Sequence, residues 1–289
     1  MQVEAGSVVQ SRRGRVAVLS MANPPVNAFS LAMRSSLYNQ LLELRDDPEI
    51  EAVVLHGRGR GFSAGGDIKE FGTSMAKSAP GVSRDLHPLM ESFKKPLVAA
   101  IHGMALGGGL ETALACHYRI ASSQARIGLP EVRVGVIPLS GTQRLPRLMC
   151  LEDASRLILE AEIGAACDFA HTHLFDSIVD VESDLECEAV VERAIAWASD
   201  RGSKSVELPL IRNLPIQGGE YSVVLNQMVA NHKFTNPAQE VAARALVAAF
   251  EAENFDHGIA IARELYDGLI DSPQSLARRQ EFLRRPVQG

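Results

Sequence analysis

Gly103-Met104-Ala105-Leu106-Gly107-Gly108-Gly109-Leu110-Glu111 stands between an apolar run and a helical pattern, and it decides how the flanking chain folds. Upstream, Pro96 to Gly103 is a series of β-branched and small residues ending in glycine, which predicts a buried strand. Downstream, Leu110, Ala113, Leu114 and Tyr118 recur at helical spacing, so a helix is expected to start near Gly108 or Gly109. Such a junction gathers free N–H groups and the positive end of the helix macrodipole at the glycines. Consecutive glycines let a ligand approach bare backbone, and Glu111 lies in the first turn beside that point. The turn suits an anion, either a standing phosphate or an oxygen that becomes negative during reaction. Taken alone, a tight strand-to-helix turn accounts for the glycines equally well.

Around this point the chain alternates. Residues 7–10 and 15–20 read as short strands about an Arg12-Arg13-Gly14 turn. Asn23-Pro24-Pro25-Val26-Asn27-Ala28 is a rigid loop, because paired prolines block helix. Ser30 caps a helix over about 31–46 whose apolar side carries Met33, Leu37, Leu41, Leu42 and Leu44. Ala52 to Gly57 is another buried strand. It leads into a second glycine-rich turn, Gly59 to Lys69, that runs into a helix; residues 73–83 read as a mobile loop and 84–94 as a helix. Tyr118 to Ser122 is strand-like. This alternation favours an α/β fold with a largely parallel sheet. Residues 142–200 read as mainly helical with a short strand at 177–180, 201–235 as a connecting segment holding Pro209, Pro215 and Gly218-Gly219, and 236–283 as helix. The expected organisation is a core domain over 1–200 and a linker with a C-terminal helical region over 201–289.

The composition narrows the function. With 46% hydrophobic and 22% charged residues, the 289-residue chain has the make-up of an ordinary soluble globular protein. A formal net charge of −6 argues against a general nucleic-acid binder. Cys116, Cys150, Cys167 and Cys187 are scattered, as reduced cytosolic thiols are. No signal peptide, bilayer-spanning run or Ser-Lys-Leu peroxisomal address is seen, so a cytoplasmic protein without membrane attachment is expected. No metal-ligand cluster is visible among the eight histidines; His171 and His173 lack a nearby partner. No GxGxxG with a following ribose-binding acid predicts an NAD site.

Gly66 and Gly108 each lie at a strand end where a helix is about to begin, and parallel strands put such ends on one sheet edge. Two N–H groups from separate turns can then converge on one oxygen, the geometry required by a thioester carbonyl turning into an enolate. Glu111 and Glu131 flank successive strands, and a water held between two carboxylates can lose a proton to one while the other works at carbon. For each glutamate alone, a helix-terminal charge or a solvated loop residue is the commoner explanation.

Four blocks identify a family. Ser63-Ala64-Gly65-Gly66-Asp67-Ile68, Ala105 to Glu111, Gly128-Leu129-Pro130-Glu131-Val132 and Gly141-Thr142-Gln143-Arg144-Leu145-Pro146 resemble the enoyl-CoA hydratase (crotonase) superfamily over about residues 7–200. Phe255 to Glu264 and Ser272-Pro273-Gln274-Ser275 look like the end of the hydratase/isomerase half of multifunctional β-oxidation enzymes, and the chain stops where their dehydrogenase half would begin. The resemblance implies a ββα spiral with a helical C-terminal region and an acyl-CoA ligand. It also implies an oxyanion hole from the N–H groups of Gly66 and Gly108, water activation by Glu111 and proton handling at Cα by Glu131. Loops around Asn27-Ala28 and from Ala64 through Gly65, Asp67 and Ile68 to Lys69 match those that hold coenzyme A. No cofactor beyond the coenzyme A carried by the substrate is implied. A homo-oligomer, a trimer rather than a monomer, is expected.

Three departures bear on the activity. Pro138-Leu139-Ser140-Gly141-Thr142 is one residue shorter and two glycines poorer than the family's loop, whose backbone helps to place the nucleophilic water. His117 stands where an Asp is common, and residues 165–176 lack the Ala-x-x-x-Gly-Leu-Val-Asp pattern. The expected function is an enoyl-CoA hydratase in fatty-acid or related metabolism. A Δ3,Δ2-enoyl-CoA isomerase, or a catalytically idle acyl-CoA-binding homologue, is the alternative.

Overall fold

Ser7–Arg13 and Val16–Ala22 form an antiparallel pair, β1 and β2, turning at Gly14 and Arg15, so the hairpin is longer than the sequence alone suggests. The computed structural model describes residues 4–181, 185–204, 207–216, 220–230 and 234–284. After the hairpin come α1 (Leu31–Asp46), β3 (Ala52–Gly57), α2 (Ser74–Lys77), α3 (His87–Glu91), β4 (Leu97–Ile101) and β5 (Met104–Leu106). These are followed by α4 (Gly108–Ala115), β6 (Tyr118–Ser122), β7 (Arg126–Gly128), α5 (Gly141–Arg144), α6 (Leu151–Ile158), β8 (Ile163–Ala165) and β9 (Ser177–Val179). Among the described residues, the longer elements after β9 are helices: α7 (Glu186–Gly202), α8 (Glu220–Ala230), α9 (Pro237–Glu251), α10 (Phe255–Ile270) and α11 (Pro273–Arg284).

The main sheet has the order β1-β2-β3-β4-β6-β9 and is parallel from β2 to β9, as the alternating pattern predicts. A smaller sheet has the order β5-β7-β8. Contacts divide the chain into two compact units, Met1–Ile127 with Gly164–Ile211, and Gly128–Ile163 with Arg212–Gly289.

In the first unit, one face of the sheet packs Val16, Val18, Ala52, Val54, Val98 and Ala100 against Val190, Ala194 and Ala198 of α7. Ser30 caps α1, its hydroxyl accepting from Met33 N at 3.3 Å, and α1 buries Met33, Leu37, Leu41 and Leu44. Each such aliphatic side chain contributes about 1.5–3 kcal/mol when fully buried. In the second unit, α9 and α10 open with asparagine caps, Asn236 accepting from Gln239 N at 3.1 Å and Asn254 from His257 N at 2.9 Å. The stripe Ala238, Ala242, Ala245 and Ala249 lets neighbouring helices approach α9 closely.

Local expectations change at four places. The glycine-rich turn 59–69 does not run into a helix: residues 68–72 are turns, and the next helix is α2 at Ser74. The glycine-rich turn around 103–107 contains strand β5. The stretch 73–83, read as a mobile loop, instead carries α2 and the start of a π-helical turn, Val82–Leu86. Its carbonyls at Met75 and Pro80 accept from the guanidinium of Arg34, the latter at 2.8 Å. The segment 201–235 is more than a connector, since α8 lies within it; its Gly218-Gly219 pair falls outside the described residues. No described helix is long and apolar enough to cross a membrane.

Candidate active site

What brings the two glycine turns together is a strip of main chain. Ser63 N donates to Met104 O at 3.0 Å and Ser63 O accepts from Leu106 N at 2.9 Å, so the chain at 62–65 runs parallel beside β5. The strip is braced from behind: Ser63 Oγ donates to Asn27 O at 2.7 Å and accepts from Gly65 N at 3.0 Å. Gly107 then takes φ 52° and ψ −131°, a backbone state open to glycine, and turns β5 directly into α4.

Two amides meet across this strip. The nitrogen of Gly66 lies 3.4 Å from the point where a Cβ on Gly108 would stand. Among the described residues the N–H of Gly66 has no hydrogen-bond acceptor. The start of α4 has no side-chain cap, and its ladder begins with Glu111 N donating to Gly107 O at 3.0 Å. The N–H of Gly108 therefore precedes the first rung, at the positive end of the helix dipole. Glu111, in that first turn, is 7% exposed. Thr112 is bonded to Gly108 O at 2.7 Å through its hydroxyl, and His87 Nε2 lies 3.2 Å from the same hydroxyl.

Glu131 belongs to the second unit, in a 3-10 turn, Pro130–Val134, that packs with α6, α9 and α11. The turn closes on Gly135 at φ 80°, where any side chain would collide with Ser275 Cα at 2.8 Å. Downstream, Thr142 Oγ1 donates to Leu139 O at 2.9 Å, and just past the short 138–142 loop Gln143 Nε2 donates to Ala245 O at 2.8 Å.

The residues matched to coenzyme A binding line two loops of the first unit. Asn27 is buried, and its side chain is engaged as a brace: Nδ2 donates to Arg58 O and Gly61 O, and Oδ1 accepts from Asn23 N. Ala28 O accepts from Asn23 Nδ2 at 2.7 Å, Ala64 N donates to Val26 O, and Gly65 O accepts from Phe29 N. Asp67 and Ile68 are half-buried and Lys69 is exposed, with Asp67 Oδ1 accepting from Lys69 N at 3.0 Å.

Sequence reading missed one pair that supports these loops. Arg34 and Glu70 form a buried ion pair at 2.6 Å, and Glu70 Oε1 also accepts from Leu31 N at 2.7 Å. The only signal for it was a charged residue, Arg34, inside the apolar stripe of α1. His117, the departure from the common Asp, supports the structure too, its Nδ1 accepting from Leu97 N at 3.0 Å. Burial, with Arg119 nearby, pushes its pKa down to about 4, so the ring is neutral. Asp176, at the end of the atypical 165–176 stretch, accepts from both the N–H and the guanidinium of Arg119.

This main-chain site at the head of α4 sits on a fold shared with known acyl-CoA enzymes. The chain belongs to the enoyl-CoA hydratase/isomerase family, whose sequence profile matches residues 11–208. A probable enoyl-CoA hydratase of Bacillus subtilis is 42% identical over 196 residues, covering 66% of this chain and 74% of its own. A peroxisomal bifunctional enzyme of Cavia porcellus is 34% identical over 275 residues, or 92% of this chain, which spans only 36% of that longer relative. The crystal structure of an enoyl-CoA hydratase from Bacillus anthracis superposes with a TM-score of 0.61 at 27% identity over 96% of both chains. The fold is thus the crotonase fold, with a helical C-terminal region.

Proposed function

We propose that this chain is an enoyl-CoA hydratase, adding water across the 2,3 double bond of an enoyl-CoA thioester. The observation that carries the reading is the approach of the Gly66 amide to Gly108 at the uncapped head of α4, with Glu111 buried one turn inside. Both N–H groups donate to the thioester oxygen and hold the enolate that forms when water adds at Cβ. A donor of this kind lowers the barrier by about 3–4 kcal/mol. Glu111 takes the proton from the water, and the enolate is protonated at Cα by Glu131, a role that rests on the family match at Gly128 to Val132. The Asn27-Ala28 and Ala64 to Lys69 loops hold coenzyme A through their main chain, since the Asn27 amide is already engaged. The chemistry draws on no cofactor besides the coenzyme A of the substrate. The hydratase names of the relatives from Bacillus support the same reading.

One observation favours a second reading, a Δ3,Δ2-enoyl-CoA isomerase. The 138–142 loop is short and its Thr142 hydroxyl is turned onto Leu139 O, which weakens its use in placing a nucleophilic water. Moving a double bond needs the enolate site and one proton carrier, but no water. Loss of the enoyl absorbance of crotonyl-CoA tests hydration, and a 3-enoyl-CoA tests isomerisation. Glu111→Gln is expected to abolish hydration and spare isomerisation. Tight acyl-CoA binding without turnover on short, medium and branched substrates would instead make the chain an idle homologue. We also propose a homotrimer, which light scattering tests directly.

A further inference from the structure

The apolar face that packs against α7 ends in polar groups. Along β2 the buried series Val16, Val18 continues to Ser20, and along β3 Ala52, Val54 continues to His56. Along β4 the series Val98, Ala100 continues to His102, just past the strand. On α7 the stripe Val190, Ala194, Ala198 extends back one turn to Cys187. Because β2, β3 and β4 are parallel, these ends share one edge, and ligand-type atoms of His56, His102 and Cys187 lie within 4.8 Å of one another.

The rings are also held in the right tautomers. His56 Nδ1 is 2.9 Å from Gly57 O, which can only accept, so Nδ1 carries the proton and Nε2 presents its lone pair to the Ser20 hydroxyl at 2.7 Å. His102 Nε2 is likewise 2.9 Å from Gly57 O, leaving the lone pair on Nδ1. One backbone carbonyl therefore orients both imidazoles, the arrangement that fixes histidine ligands in metal sites.

We propose that His56 Nε2, His102 Nδ1 and Cys187 Sγ bind one zinc ion, the Ser20 hydroxyl or a water completing a tetrahedron. Two imidazoles and a thiolate are a borderline-soft donor set that suits zinc. Zinc–nitrogen and zinc–sulfur bonds of about 2.0 and 2.3 Å bring such ligands to about 3.5 Å from one another, a small contraction of the observed cluster. On binding, the Cys187 thiol gives up its proton to solvent as the sulfur–zinc bond forms, and each imidazole ligates through the ring nitrogen that Gly57 O does not hold. The ion ties the first turn of α7 to the sheet edge, where Glu186 already accepts from Gly103 N at 3.1 Å. Its role is structural and independent of the proposed hydration.

The test uses the untagged full chain, stripped with a chelator and titrated with Co²⁺, whose thiolate charge-transfer band reports sulfur ligation. One Co²⁺ per chain with that band, displaced by Zn²⁺, is the expected result. Cys187→Ser should remove the band and weaken Zn²⁺ binding at least 100-fold, while Cys167→Ser, at an exposed thiol elsewhere, leaves both unchanged. No stoichiometric binding by the native chain, or a band that survives Cys187→Ser, overturns the proposal and leaves a hydrogen-bonded cluster only.

Discussion

The carbonyl oxygen of Ser63 stands 2.4 Å from the point where a Cβ on Gly109 would sit. Nothing larger than hydrogen fits between the strip at 62–65 and α4. Gly109→Ala must push the two apart and carry the Gly66 and Gly108 amides with them. The expected loss is about 1–3 kcal/mol of stability from overpacking, with a fall of roughly 100-fold in kcat/KM for an enoyl-CoA from misplaced groups. Gly72→Ala, where a Cβ meets nothing within 4 Å, should cost about 1–2 kcal/mol through its positive φ and leave turnover unchanged. Full turnover in Gly109→Ala would show that this contact does not set the site.

Arg34 and Glu70 share a buried pair whose side chains are 5% and 10% exposed. Removing one partner strands the other charge in the interior. Arg34→Met or Glu70→Gln alone should lower the unfolding free energy by about 3–5 kcal/mol, and the double variant by clearly less than the two added together. Denaturant titration of the three variants decides it; simple additivity would mean the pair is not coupled.

Much of the first unit was readable because its signals are local. The apolar runs at 52–57 and 97–101, the Ser30 cap and the glycines at 107–109 each act over one or two turns of chain. What escaped depends on long-range pairing. β5 is too short to show a period, and it exists because Ser63 pairs with it from over forty residues upstream. The 73–83 segment is polar and small, yet Arg34 orders its carbonyls from α1. His56, His102 and Cys187 have no shared spacing, and only the parallel register brings their ends together. Gly108 was legible because it lies at a strand-to-helix junction, whereas Gly66 is followed by turns over 68–72 and is brought to it by the pairing of Ser63 with β5.

His117 makes stability fall on acidification. Its folded pKa of about 4 lies below the ordinary 6.5, so the unfolded chain takes up the proton first as pH drops. The contribution is complete above pH 6.5, shrinks between 6.5 and 4, and is flat below; its ceiling is about 3 kcal/mol. His56, likewise pushed down to about 4 by burial, acts with the same sign. His117→Gln should take about one proton out of the pH slope of the unfolding free energy in that window. An unchanged slope would mean the ring is already protonated in the folded chain or titrates normally.

The chain leaves its first unit at Ile127, returns at Gly164 and leaves again after Ile211. The family profile ends at residue 208, inviting a cut just beyond it, yet such a cut removes far more than an appendage. Residues 128–163 would be orphaned from α9 and α11, the helices against which the Glu131 turn is built. A chain shortened after Ile211 is expected to keep the β2–β9 sheet signature in circular dichroism but to expose 128–163 to protease. The carboxylate at 131 is thus held in place by the tail as much as by the motif that announces it: under the proposed function, trimming or exchanging the last eighty residues would put the proton step at Cα at stake.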